Sequence, residues 1–278
     1  FKVKKRKSIS EKLKALKTKI LKLTRLQKLI KKPGEIVQLY GAKKCFKPAK
    51  IIFTSKTKLS SGRRVLIGKN TKLLYANSAD YRTAMALPNT SLSDDKYAVF
   101  IDQFLPYHPD FQSNYTYNLF QATDYYNELN RFFKTFTQQT GLKVIVAAHP
   151  RRLNKYDNDF NSDIQLFYNQ TGHLVKNAEM VLLHYSTAIN FAIIFNKPML
   201  FIDSNLFKGI DVFLYTRAFS KHFNSTMVNM SNNSINCKQI NKVDTEKYQN
   251  YLEQNIQHKD AQEIDLKSVI LQAIEEYL

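Results

Sequence analysis

From residue 96 onward, short apolar runs alternate with stretches whose apolar residues recur every three to four positions. Tyr97-Ala98-Val99-Phe100-Ile101 is uniformly apolar and reads as a strand covered on both faces. Within 118–140, Tyr125, Tyr126, Leu129, Phe132, Phe133 and Phe136 form one stripe at helical spacing, and Gly141 supplies the stop. Residues 143–146, with the β-branched Val144, Ile145 and Val146, start a strand that ends at His149; 151–163 is a polar loop. A short strand over 163–168 and a short helix over 171–178 follow. Then come a strand over 180–185, a helix opened by Ser186-Thr187 and running to Phe195, and a strand over 197–202. Helical segments near 206–223, 245–257 and 265–277 complete the chain, with an Asn/Ser-rich connection over 224–236. Strands separated by helices predict an α/β fold with a Rossmann-like parallel sheet and helices on both faces.

Upstream the rhythm weakens. Residues 50–54 and 72–75 are strand candidates on either side of a Ser60-Ser61-Gly62 loop. Residues 80–87 read as a short helix stopped before Pro88, and 89–95 as a polar connection. Residues 34–95 are therefore expected to be a reduced N-terminal, acceptor-side α/β region, and 96–278 the main domain with its helical tail. Residues 8–32 differ in kind. Ser8 and Glu11 have capping-box spacing, and Ile9, Leu13, Leu16, Ile20, Leu23, Leu26, Leu29 and Ile30 mark one helical face before Pro33-Gly34.

Charge sharpens that division. The chain carries a formal +19, and residues 1–32 hold fourteen Lys or Arg against the single acid Glu11. A basic amphipathic helix over 1–33 suits an anionic membrane surface; packing its leucines on a domain is the plainer alternative. Nucleic acid is not expected, because no aromatic residues interleave the charges and no recognised motif follows. Cys45 and Cys237 have no metal-type or disulfide-framework spacing, which implies a reducing compartment. No apolar run approaches the length of a spanning helix. The expected location is cytoplasmic, peripheral on the inner face of the membrane. The chain opens on Phe1 and is expected to be part of a longer protein.

The candidate chemistry gathers at three strand ends: Asp102-Gln103, His149-Pro150-Arg151-Arg152 and His184-Tyr185-Ser186-Thr187. In an open parallel sheet these share the carboxyl edge, where ligands bind. Pro150 cannot donate to a ladder and ends its strand; the imidazole and two guanidinium groups beside it suit a phosphate or carboxylate. Ser186 and Thr187 are N-cap candidates, and free N–H groups at a helix start attract anions. Asp102 reads as a base on an acceptor hydroxyl, as a carboxylate facing developing positive charge, or as a turn cap. His184 alternates with Leu183 and reads as a satisfied core histidine; His108, between Tyr107 and Pro109, reads as structural. No Walker A loop, no G-x-G-x-x-G and no G-x-S-x-G elbow is present, which argues against an ATPase, a dehydrogenase and an α/β-hydrolase.

Over roughly 96–203 these residues, in this order, resemble the nucleotide-sugar domain of bacterial surface-polysaccharide glycosyltransferases of GT-B type. The likeness is to the sialyltransferase and Kdo-transferase groups, which use CMP-activated acidic sugars. It rests on Asp102, on His149-Pro150, and on the run from His184 through Ser186-Thr187 to Ala192 followed by Lys197-Pro198. Where sialyltransferases have paired acids followed by Gly, this chain has Ile101-Asp102-Gln103. The resemblance implies transfer of a sugar from a CMP-linked donor to a capsule or lipopolysaccharide glycan. It implies that His149 contacts the leaving phosphate, that Ser186 and Thr187 hold phosphate or the sugar carboxylate, and that the acidic residue Asp102 works in catalysis. Arg151 is expected as a second phosphate contact, with no metal and no cofactor besides the donor. The alternatives are a UDP- or GDP-sugar donor on the same fold, or a non-catalytic membrane-docking module on a degenerate transferase fold.

Overall fold

A computed structural model describes residues 47–59, 66–109, 120–152, 154–232, 236–237, 240, 242–261 and 266–275. The basic helix expected over 8–32, its Pro33-Gly34 stop, Cys45, the 60–62 loop and the start of the 118–140 helix lie outside the described residues. The chain divides into two compact units, one running to Phe53 and over Lys58–Leu74, the other comprising Thr54–Thr57 and everything from Tyr75.

The first unit carries most of β1 (Ile51–Thr54) and β2 (Lys72–Tyr75), which form a two-stranded sheet. Thr71 fastens it: its hydroxyl donates to the Ala49 carbonyl at 2.7 Å and accepts the Gly68 N–H at 2.8 Å.

The second unit contains the site. Its six strands are β3 (Tyr97–Ile101), β4 (Lys143–Ala148), β5 (Gln165–Tyr168), β6 (Met180–Leu183), β7 (Met199–Asp203) and β8 (Thr226–Asn229). All neighbours pair parallel, in the order β5-β4-β3-β6-β7-β8. Counted from β3 this is the doubly wound order 3-2-1-4-5-6, and the chain reverses direction between β3 and β6. The expected α/β fold with a Rossmann-like parallel sheet is what the chain adopts. β8 was not legible in the sequence. Its polar-rich run Thr226-Met227-Val228-Asn229 has little alternation, and it pairs only with β7 at the sheet edge.

β3 shows why both faces need cover. Ala98 and Phe100 point into one core and Tyr97, Val99 and Ile101 into the other, all buried. On the first face lies α2 (Ala122–Thr140), whose six expected stripe residues are all buried, and Gly141 ends it in the left-handed region at φ 73°. On the second face lie α3 (Thr171–Asn177), α4 (Ile189–Ile194), the C-terminal end of α5 (Asp211–His222), and α6 (Thr245–Tyr251), which runs into a π turn, Leu252–Ile256. Gly172 lets α3 approach α4: a Cβ there would sit 2.8 Å from the Phe191 ring.

Residues 75–95 group with this unit rather than with the N-terminal region to which they were expected to belong. The cause is packing and polar anchorage. Within α1 (Ala79–Met85) Ala84 is buried in the second core, and Lys176 of α3 donates to the Leu87 and Pro88 carbonyls, each at 3.0 Å. The last helix, α7, spans Leu266–Glu275. No helix among the described residues is long and apolar enough to cross a membrane.

Candidate functional site

The carboxyl ends of β4 and β6 flank that of β3, so their following loops share one edge. Ladder spacing puts the β4 and β6 ends roughly 10 Å apart, on either side of β3. The three strand ends singled out in the sequence therefore do converge on a single edge, at the point where strand order reverses.

Asp102 continues β3 by one residue, its N–H donating to the Ala147 carbonyl at 3.1 Å. Its side chain is fully enclosed. Oδ1 accepts the Phe104 N–H at 2.8 Å; Oδ2 accepts Arg152 Nε–H at 2.7 Å and the His149 N–H at 3.3 Å. Asp102 lies inside the core, and its partner is the second arginine of the His149-Pro150-Arg151-Arg152 run. Both carboxylate oxygens are engaged within the protein, so the geometry gives Asp102 the task of holding a loop rather than of meeting an acceptor hydroxyl.

Arg152 is equally enclosed. Nη1 donates to the Tyr156 carbonyl at 2.6 Å and lies 3.5 Å from Asp159, while Nη2 donates to the Tyr126 hydroxyl. The rings of Phe160, Phe104 and Tyr126 lie 4.7, 5.2 and 5.3 Å from the guanidinium carbon. Burial works against the charge, but Asp102 and Tyr126 more than offset it and hold the guanidinium protonated. The two arginines thus have opposite fates: Arg152 points inward and Arg151 is exposed.

His149 rides on the turn these groups fix. The Arg152 N–H donates to the His149 carbonyl at 2.8 Å, and the Arg151 N–H donates to His149 Nδ1 at 3.1 Å. With Nδ1 accepting, the neutral ring carries its proton on Nε2. Half-burial pushes the imidazole pKa down; the Asp102 charge opposes this, and His108, Arg151 and Arg152 reinforce it. The outcome is a neutral N–H donor, with Pro150 and Arg151 exposed beside it.

Phe104 escaped the sequence reading. Its φ is 55°, a backbone region that bulky residues rarely occupy. The Asp102 hydrogen bond to its N–H holds it there, and its ring stacks near His149 at 6.2 Å and 13°. Nothing in the local sequence announces this, since glycine or asparagine is the usual occupant of such a position. The His108 ring lies 5.1 Å from His149, nearly perpendicular.

At the end of β6, His184 is a core residue, as its alternation implied. Nδ1 donates to the Ile202 carbonyl at 2.6 Å and Nε2 accepts the Tyr125 hydroxyl at 2.8 Å. Burial brings its pKa down to about 4. The Tyr185 N–H donates to Gln103 Oε1 at 2.9 Å, tying the β3 and β6 ends together across the switch point. Ser186 and Thr187 lie on the expected edge but do not cap a helix. α4 begins at Ile189 with Ala188 at its N-cap, and Ser186 Oγ accepts the Ala188 N–H at 3.2 Å, closing a turn before the helix. The cause is local: that hydroxyl bonds two residues along its own chain and diverts the backbone from helix. Thr187 is exposed. Asn190, on the first turn of α4, donates to Asp80 of α1 at 2.7 Å.

No protein-family model and no curated protein matches the sequence. Among solved structures the chain is similar to the UDP-GlcNAc 2-epimerase of Methanocaldococcus jannaschii in complex with UDP-GlcNAc and UDP. The TM-score is 0.36 and the identity 14%, over 76% of this chain and 56% of that one. A second structure of that epimerase gives 0.34 and 13%, over 73% and 56%. The chain therefore spans little more than half the length of these relatives. A likeness this distant carries no argument about activity, and the fold class stands on the strand order.

Two measurements check this geometry. Asp102→Asn and Arg152→Met each leave a buried charge without its partner and lose about 3–5 kcal/mol in denaturant unfolding, while the double variant loses clearly less than the sum. Single losses near 0.5 kcal/mol would show that the pair is not enclosed. His184, followed by NMR, stays neutral down to a pH of about 4. Because its folded pKa is depressed, the unfolded chain binds the proton first, and His184 makes stability fall as pH drops from about 6.5 towards 4. A midpoint near the ordinary histidine value would contradict the assignment.

Proposed function

We propose that this domain binds a nucleotide-activated sugar at the carboxyl edge of its sheet and, as an enzyme of GT-B type, transfers the sugar to a glycan. In this reading the donor is CMP-linked and the acceptor a capsule or lipopolysaccharide glycan at the inner face of a bacterial membrane, with the basic residues 1–33 as the docking segment. The observation that carries it is His149. A neutral Nε2–H donor sits on a rigid turn beside the switch point, with the exposed Arg151 next to it.

The chemistry follows from those groups. An acceptor hydroxyl oxygen attacks the anomeric carbon and gives up its proton to solvent, the bond from that carbon to the phosphate oxygen breaks, and negative charge grows on the phosphate. A fixed N–H donor and a guanidinium neutralise that charge as it develops. Ser186 and Thr187, on the other side of β3, anchor the donor through phosphate or the sugar carboxylate. Pro150 sets where the strand stops, and Asp102 acts through the His149 turn as a positioning residue. The enclosed Asp102 carboxylate also favours a second reading: a module that binds the nucleotide-sugar without transferring it.

Titration calorimetry with CMP, UDP and GDP in EDTA tests the proposal. CMP binds without metal, and His149→Ala weakens it by at least about tenfold, the loss expected for a charge-assisted hydrogen bond. Binding that needs added divalent metal, or preference for UDP or GDP, would replace the CMP reading. Binding by a protein that never transfers or hydrolyses the donor would favour the second.

A further inference from the structure

Beside the site an aromatic ring faces outward. Tyr215, on the second turn of α5, is 47% exposed, and its ring centre lies 5.2 Å from that of Tyr185 at a tilt of 37°. An exposed tyrosine alone is ordinary on a protein surface. Its place sets this one apart. Tyr185 directly precedes Ser186 and Thr187, and its N–H donates to Gln103 Oε1 at 2.9 Å across the switch point. α5 follows the carboxyl end of β7 after the short turn Asn205–Phe207. Val212 on its first turn is buried in the first core, while Phe219 packs on the second. The helix therefore passes the carboxyl edge and holds Tyr215 at its rim.

Both flanks of the switch point carry aromatic rings, and the two flanks differ. On the β4 side, Tyr107 and Tyr156 pack on each other at 4.3 Å and both lie against Phe104. The carboxylates of Asp157 and Asp159 lie among them, bonded by the hydroxyls of Tyr168 and Tyr107. Those rings are engaged within the protein. On the β6 side, Tyr185 covers one face of Tyr215, and the exposure of Tyr215 leaves the other face to solvent. A tyrosine held in this way presents a large flat surface at little cost in conformational freedom. A nucleobase stacks on such a surface, and every base does so because each has a π-face.

We propose that Tyr215 is the platform on which the base of the bound nucleotide stacks, with the phosphate between His149 and Ser186-Thr187 and the nucleoside running past β6 towards α5. The platform rests on the nucleotide-binding reading above and adds to it the place of the base and the direction in which the nucleotide lies. It also narrows the task of Ser186 and Thr187. Those hydroxyls meet the phosphate rather than the sugar carboxylate, because the nucleoside occupies their side of β3. Stacking is indifferent to which base is presented, so Tyr215 contributes affinity for nucleotides as a class.

The test uses the full chain and two probes, CMP and ribose 5-phosphate, which keeps the phosphate and lacks the base. By calorimetry, Tyr215→Ala weakens CMP binding about tenfold and leaves ribose 5-phosphate binding unchanged, which also shows that the variant is folded. Tyr215→Phe keeps the wild-type affinity for CMP, because the ring suffices. His149→Ala weakens both probes, as a phosphate contact does. By NMR, the Tyr215 ring protons shift on saturation with CMP and stay in place with ribose 5-phosphate. If Tyr215→Ala binds CMP as tightly as wild type, or weakens both probes equally, the platform is overturned and the nucleotide reading stands. If wild type binds neither probe, both fall together.

Discussion

An ion pair between Asp102 and Arg152, cut off from solvent, is the constraint on which the candidate site depends. Removing such groups from water costs several kcal/mol per ion, and their attraction offsets this only when the remaining hydrogen-bonding capacity is also met. Here it is met. Asp102 accepts from two backbone N–H groups besides the guanidinium, and Arg152 reaches the Tyr156 carbonyl, the Tyr126 hydroxyl and Asp159. Each of those bonds also fixes a piece of loop. One carboxylate holds Phe104 in the left-handed region and the His149 amide in place, so the imidazole is positioned by a charge it does not itself neutralise.

The same economy of parts runs through α2. Its stripe covers one face of the sheet, yet two of its members also carry polar chemistry. The Tyr125 hydroxyl satisfies His184 beneath the end of β6, and the Tyr126 hydroxyl satisfies Arg152 beneath the end of β4. Further along the same edge, Glu128 accepts hydrogen bonds from Ser204 and Ser231, tying the helix to the ends of β7 and β8. One helix face thus supports the loops after β4, β6, β7 and β8, which links the packing of the core to the rigidity of the edge.

Much of this was readable in the chain itself. Uniformly apolar runs such as 97–101 have one stable home, a strand covered on both sides, and the stripe from Tyr125 to Phe136 has one face to bury. The strand ends, and hence the site edge, followed from those periodicities. Three things did not follow. The Asp102–Arg152 pair joins residues fifty positions apart, and adjacent arginines look alike until the fold sends one inward. Phe104 occupies a backbone region its side chain disfavours, so its conformation is imposed by Asp102 and is invisible to propensity. The Ser186 hydroxyl satisfies a nearby N–H and delays the helix to Ile189, a contest between two local hydrogen bonds that composition does not decide.

Amide hydrogen exchange at His149, Arg152 and Phe104 tests the central claim most directly. Those three N–H groups donate to Asp102 or within the turn that Asp102 and Arg152 fix. If the buried pair locks the site, they exchange as slowly as the amides of β3 and β4, through the cooperative opening of the domain. Exchange at the rate of an open surface loop, while β3 and β4 stay protected, would show that the pair does not hold the turn.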